Sequence, residues 1–73
     1  MTLDTLRRKA KDGTPVLWPR MQAYGIVLRV AKDGMWADMW WWHGPVRLHE
    51  PPVGFASWRK RQPLACLAEW EHG

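Results

Sequence analysis

The residues able to do chemistry in this chain are few, and each has to be weighed against its plainer role. Ser57-Trp58-Arg59-Lys60 has the S-x-x-K spacing of serine acyl-transfer enzymes. That chemistry needs a large scaffold to shape a pocket, and 73 residues do not provide one. His43, His49, His72 and Cys66 are possible zinc ligands, yet they show no C-x-x-C or H-x-x-x-H pairing. Glycine-rich phosphate loops are missing as well. Neither catalysis nor a bound metal or cofactor is expected.

Binding chemistry is better supplied. Seven tryptophans occur, three of them consecutive in "ADMWWWHGP". Trp36, Trp40 and Trp42 are candidate partner-binding anchors, because tryptophan and arginine dominate interface hot spots. Their alternative role is a second small core beneath a terminal helix. Trp58 beside Arg59, Lys60 and Arg61 could stack on a base while the cations grip phosphates. Solvated surface charge is the plainer role of that triplet. The same choice applies to Arg7 and Arg8 in "RRKAK", whose charges also suit the C-terminal half of a helix.

Composition limits what can position these groups. A chain this short is expected to form one domain, and folding buries only about 60% of the surface its unfolded form exposes. With 47% hydrophobic and 25% charged residues, it has the balance of a folded protein. No apolar run approaches the roughly 18 residues that span a bilayer, and "MTLDTLRRKAKDG" has no apolar core of a secretory signal. Cys66 stands alone, without the disulfide partners on which small secreted domains depend. A soluble, cytoplasmic protein with no membrane contact is expected. The net charge of +4 biases encounters towards acidic surfaces. Residues 1–34 carry seven basic and three acidic side chains, and residues 35–73 carry four of each.

Periodicity supplies the elements. Thr2 fits a helix N-cap, Leu3, Leu6 and Ala10 share a face, and Gly13 fits the C-cap. Two prolines in "TPVLWPR" confine any strand at 16–18 to a brief edge. In "YGIVLRVAKDGMWADMWWW" two strand-like runs flank Asp33-Gly34, which suits a two-residue type I′ turn. That turn sets Arg29 opposite Asp38, Leu28 opposite Met39, Ile26 opposite Trp41 and Gly25 opposite Trp42. Ile26, Leu28, Val30, Ala37, Met39 and Trp41 then form an apolar core face. Trp36, Asp38, Trp40 and Trp42 stand on the other side with Gly25, Val27, Arg29 and Ala31. Residues 35–43 also have helical spacing, the competing assignment. "VRLHE" alternates like a further strand, "VGFASWRKRQ" contributes one more short strand before the basic triplet Arg59-Lys60-Arg61, and Pro63 opens a last helix carrying Leu64, Leu67, Ala68 and Trp70. The expected fold is α+β: a small antiparallel sheet or partly open SH3-like barrel around the hairpin 24–42, with a short helix at each end.

Gly25, Ile26, Leu28, Val30, Ala37, Met39 and Trp41 resemble the KOW and Tudor-like pattern of small SH3-like barrels, in which a glycine and alternating apolar residues lead through a tight turn into a second strand. The resemblance covers under a third of the chain. It implies a module that binds RNA, ribosomal components or RNA polymerase. In length, basic charge and surplus of aromatic anchors the chain also resembles small host-takeover proteins of bacteriophages that bind RNA polymerase, displace sigma factor and act in antitermination. The resulting expectation is a monomeric, non-enzymatic regulator whose partner is a large protein, RNA polymerase first. The alternative is direct contact with RNA or DNA through the basic clusters.

Overall fold

The computed structural model describes residues 1–70. One helix, α1 (Leu3–Asp12), precedes five strands: β1 (Val16–Trp18), β2 (Ala23–Val30), β3 (Trp36–Trp42), β4 (Ser57–Pro63) and β5 (Ala68–Glu69). They form one antiparallel sheet in the order β4-β3-β2-β1-β5. The fold is therefore α+β, an open five-stranded sheet with a helix on one side. No helix among the described residues is long and apolar enough to cross a membrane.

The caps of α1 are those the sequence indicates. The Thr2 hydroxyl accepts from the Thr5 N–H at 3.3 Å, and Gly13 adopts a left-handed φ of 66°. The Gly13 and Thr14 amides then close onto the Ala10 and Lys9 carbonyls, satisfying C-terminal groups that would otherwise be orphaned. Leu6 is fully buried, joining Val16, Trp18, Ala23, Ala37, Met39, Trp41, Leu64 and Leu67 in the core. β1 is not an edge strand, because β2 and β5 flank it. Pro15 and Pro19 bracket its three residues without lying among them, so every residue of the strand keeps its N–H.

The hairpin forms, with two departures. Only Gly34 takes a positive φ, of 71°, and the Asp33 carboxylate accepts from the Met35 N–H at 2.9 Å. The loop is consequently longer than a two-residue turn: Gly34 N–H bonds the Ala31 carbonyl, and Ala31 N–H bonds the Trp36 carbonyl. Arg29 opposes Asp38 and Val30 opposes Ala37, as the turn predicted, but the register then shifts at Leu28. Beyond this β-bulge Val27 opposes Met39, Ile26 opposes Trp40, and Gly25 opposes Trp41. Val27 and Gly25 thus join the core face, while Ile26 moves to the face of Trp40 and Leu28 is left 48% exposed.

Two further expectations are corrected. Residues 46–50 are not a strand, since both edges of β3 are already taken by β2 and β4. A backbone bond ties His49 N–H to the Gly13 carbonyl at the helix cap. The second terminal helix is also absent among the described residues. Leu64–Cys66 makes a single 3-10 turn, and the chain is extended again at Leu67 before β5. Leu64 and Leu67 are both buried, so their three-residue spacing is used by that turn. An isolated helix of so few residues is marginal, whereas two residues paired to β1 complete a sheet.

Candidate functional site

Strand alternation divides the seven residues of β3 between two environments. Ala37, Met39 and Trp41 face the core and α1. Trp36, Asp38, Trp40 and Trp42 face the other way, beside Ser57, Arg59, Arg61 and Pro63 of β4 and beside Tyr24, Ile26 and Arg29 of β2. Residues 43–56 return over one end of this outer face. There Trp42 is completely buried and its indole N–H donates to the Pro45 carbonyl at 2.9 Å. Trp42 is therefore a structural residue and not an exposed anchor. A buried tryptophan needs a partner for its N–H, and the Gly44-Pro45 turn supplies one three residues on.

The other end stays open. Trp40 is half-buried, and the Arg59 guanidinium carbon sits 5.5 Å from its ring centroid. Arg61 Nε donates to Asp38 Oδ1 at 2.9 Å. That hydrogen bond holds the Asp38 carboxyl below the usual carboxylate range, and the charges of Arg61 and Arg29 add to the effect. The same pairing pushes the Arg61 guanidinium up. Arg29, the cross-strand neighbour of Asp38, acts on it through space while Arg61 takes the direct bond. A cleft of about 270 Å³ lies here, lined by Leu28, Asp38, Met39, Arg59, Lys60 and Arg61. Leu28, Met35 and Trp36 are all exposed near this end. Trp36 is the most exposed of the β3 tryptophans at 42%.

The expected binding residues are thus divided. Trp36, Trp40, Arg59 and Arg61 come together on the open outer face. Lys60 points to the opposite side, where its ammonium lies 5.4 Å from the Trp18 ring centroid. Trp58 also faces that side, opposite Trp41 and 5.1 Å from the His43 ring. Arg7 and Arg8 are exposed on α1, which packs on the core face, so they lie apart from Trp40 and Arg59. The S-x-x-K pair is separated as well, since Ser57 and Lys60 occupy opposite faces of β4. His43, His49 and Cys66 belong to no metal-binding group among the described residues, and His72 lies outside them.

Leu28, Arg29 and Asp38 belong to this surface but were not among the expected site residues. The Arg29–Asp38 opposition was a signal for two of them. Leu28 carried none, because strict alternation put it in the core. No protein-family model matches the chain, and no curated protein or solved structure matches it either.

Proposed function

We propose that the chain is a non-enzymatic binding module that docks the open outer face onto a large protein, with RNA polymerase as the partner. In this reading it regulates transcription by occupancy, blocking sigma factor or propping a flexible element in antitermination, and works in the cytoplasm where the polymerase is. The observation that carries it is the make-up of the open end: Trp36, Trp40 and Leu28 set among Arg29, Arg59 and Arg61, with one carboxylate at the centre. Aromatic and arginine side chains with a polar rim are the composition of interface hot spots.

The fold is consistent with an SH3-like barrel left open. Four strands follow one another as neighbours, a 3-10 turn comes next, and a short fifth strand returns to the first. The nucleic-acid reading draws on Arg59 over Trp40, a pairing that could hold a phosphate and a base together. The net charge of only +4 counts against it, being small for a protein that holds a phosphate backbone.

The test is retention of purified bacterial RNA polymerase core enzyme on the immobilised protein across a salt series, with Trp36→Ala and Trp40→Ala as controls. Retention that resists moderate salt, competes with sigma factor and falls in both variants supports the reading. Capture of RNA alone, lost log-linearly with salt and abolished by nuclease, replaces it with the nucleic-acid module.

A further inference from the structure

We infer that the free edge of β4 accepts an acidic, extended segment of a protein partner as an additional antiparallel strand. This rests on the protein-binding reading above and adds the chemistry of what is bound.

The hydrogen-bond phase of the sheet fixes which β4 groups are free. Ala31 N–H bonds the Trp36 carbonyl, so the even residues of β3 direct their backbone to β2 and the odd ones to β4. Leu64 N–H bonds the Met35 carbonyl, which continues the β3–β4 register and gives the same phase independently. Trp58, Lys60 and Gln62 therefore direct their backbone to β3. The N–H and C=O groups of Ser57, Arg59 and Arg61 point away from the sheet. Pro63, which has no N–H, falls on an outward position where none is required. β4 ends the strand order, and no described residue hydrogen-bonds these outward groups.

The side chains then select the occupant. Residues with outward backbone place their side chains on the outer face, so Arg59 and Arg61 flank the free edge. Both are already oriented, Arg59 over Trp40 and Arg61 on Asp38, which lowers the entropy lost when a carboxylate reaches them. A strand added antiparallel would put its residues opposite Arg59 and Arg61 on that same face, where opposite charges pair favourably. Residues between those positions lie towards Lys60 and half-buried Trp58, where apolar side chains fit. The preferred segment alternates acidic and apolar residues. A second copy of the chain is the wrong occupant: the antiparallel pairings of β4 with itself that overlap it most, with 59 opposite 61, 59 opposite 59 or 61 opposite 61, set cations against cations, a device by which edge strands avoid self-association. A nucleic acid has no alternating backbone donors and acceptors to complete the ladder.

The test uses the full chain, ¹⁵N-labelled, titrated with an acetylated and amidated peptide of alternating Glu and Val. Slowed hydrogen exchange at the Arg59 and Arg61 amides, with little change at the already bonded Lys60 amide, is the expected result. N-methylation of the peptide amides that face the edge should weaken binding by roughly tenfold or more, and methylation of the intervening amides should not. A Lys/Val peptide should not bind. Arg59→Pro, which removes one outward N–H as Pro63 does naturally, should abolish protection at Arg61 while the Trp41 ring-current shifts keep the fold in view. The inference is overturned by any of four results: no protection at Arg59 and Arg61, equal binding of both methylated series, the same shifts with the Lys/Val peptide or an oligothymidylate, or concentration-dependent protection of those amides without peptide. Failure of RNA polymerase to bind removes the proposed partner alone. Polymerase binding that tracks Trp36 and Trp40 while the peptide fails removes the strand addition alone.

Discussion

Trp40 and Trp41 are neighbours in sequence and opposites in environment. Trp41 is sealed: its six-membered ring lies against Gly25, Trp18 is 5.2 Å away centroid to centroid, and its N–H reaches the Lys60 carbonyl at 3.3 Å. Trp40 has a single arginine over it and one half open. The difference lies in what covers each indole. Bare backbone at Gly25 leaves a fixed depression, and the ring that fills it cannot be displaced without disturbing the sheet. A guanidinium on a flexible stem is a cover that a partner can push aside or share. Trp42 has the pleat of Trp40 and the burial of Trp41, because the chain doubles back at 43–45. Pleat sets the direction of an indole, and the covering chain decides its fate.

Truncation of the sealed ring should have the largest effect. Trp41→Ala is expected to cost about 3–5 kcal/mol, which is comparable with the whole stability of so small a domain. Urea denaturation followed by tryptophan fluorescence measures it, and a cost near that of Trp36→Ala would collapse the contrast between the faces. Gly25→Ala approaches the same site from the other side. A Cβ there would stand 2.7 Å from Trp41 Cζ3, so ring or strand must move, at about 1–3 kcal/mol.

Trp42→Phe separates pleat from covering chain. It keeps most of the buried ring and removes the N–H donated to Pro45, leaving that carbonyl without its partner. The expected loss is about 1 kcal/mol of global stability, with proteolysis of residues 43–56 rising more than unfolding accounts for. Unchanged proteolysis would mean that the segment is held by contacts other than this bond.

On the open face stability and binding should part company. Trp36→Ala is expected to cost under about 1 kcal/mol in stability, as a change at an exposed position, yet about 2 kcal/mol or more in affinity for a partner that uses this face as an anchor. Calorimetric titration beside thermal melts gives both numbers. Equal losses in the two would make Trp36 a packing residue.

What could be foreseen follows the reach of local rules. Thr2 and Gly13 bounded α1 because capping is a matter of a few adjacent residues. The inward turn of Trp41, alone among the three consecutive indoles to face the main core, followed from period two near a turn that does form at Asp33-Gly34. The bulge at Leu28 was not visible. It depends on which cross-strand pairs pack best over the full length of the hairpin, and one extra residue transferred the close approach over Gly25 from Trp42 to Trp41. The burial of Trp42 was equally hidden, since the segment over it has no periodic pattern and its placement is fixed by contacts distant in sequence. The third strand and the last helix were inferred from runs of four or five residues, too short for pattern alone to decide between an element and an irregular segment. For the site, Trp36, Trp40 and Arg59 could be named from residue type. That Lys60 leaves Arg59 and Arg61 for the other face needed β4 to be a strand and not a loop.

The smallest effect concerns charge. Asp38→Asn removes the carboxylate but keeps an oxygen facing Arg61 Nε. The Asp38 pKa is lowered in the folded chain by the Arg61 hydrogen bond, so the pair stabilises the fold above the unfolded-state pKa of aspartate. That contribution fades as pH falls through the lowered, folded value. Wild type should therefore exceed Asp38→Asn in stability at neutral pH, and the gap should close in acid below the ordinary aspartate range. The side chains of Arg61 and Asp38 are 60% and 35% exposed, so solvent screens the pair and added salt should narrow the gap further. Urea midpoints of the two proteins from neutral to acid pH, at low and high salt, decide it. A gap that ignored both pH and salt would show Asp38 acting through shape, as the sealed indoles do, and not through charge.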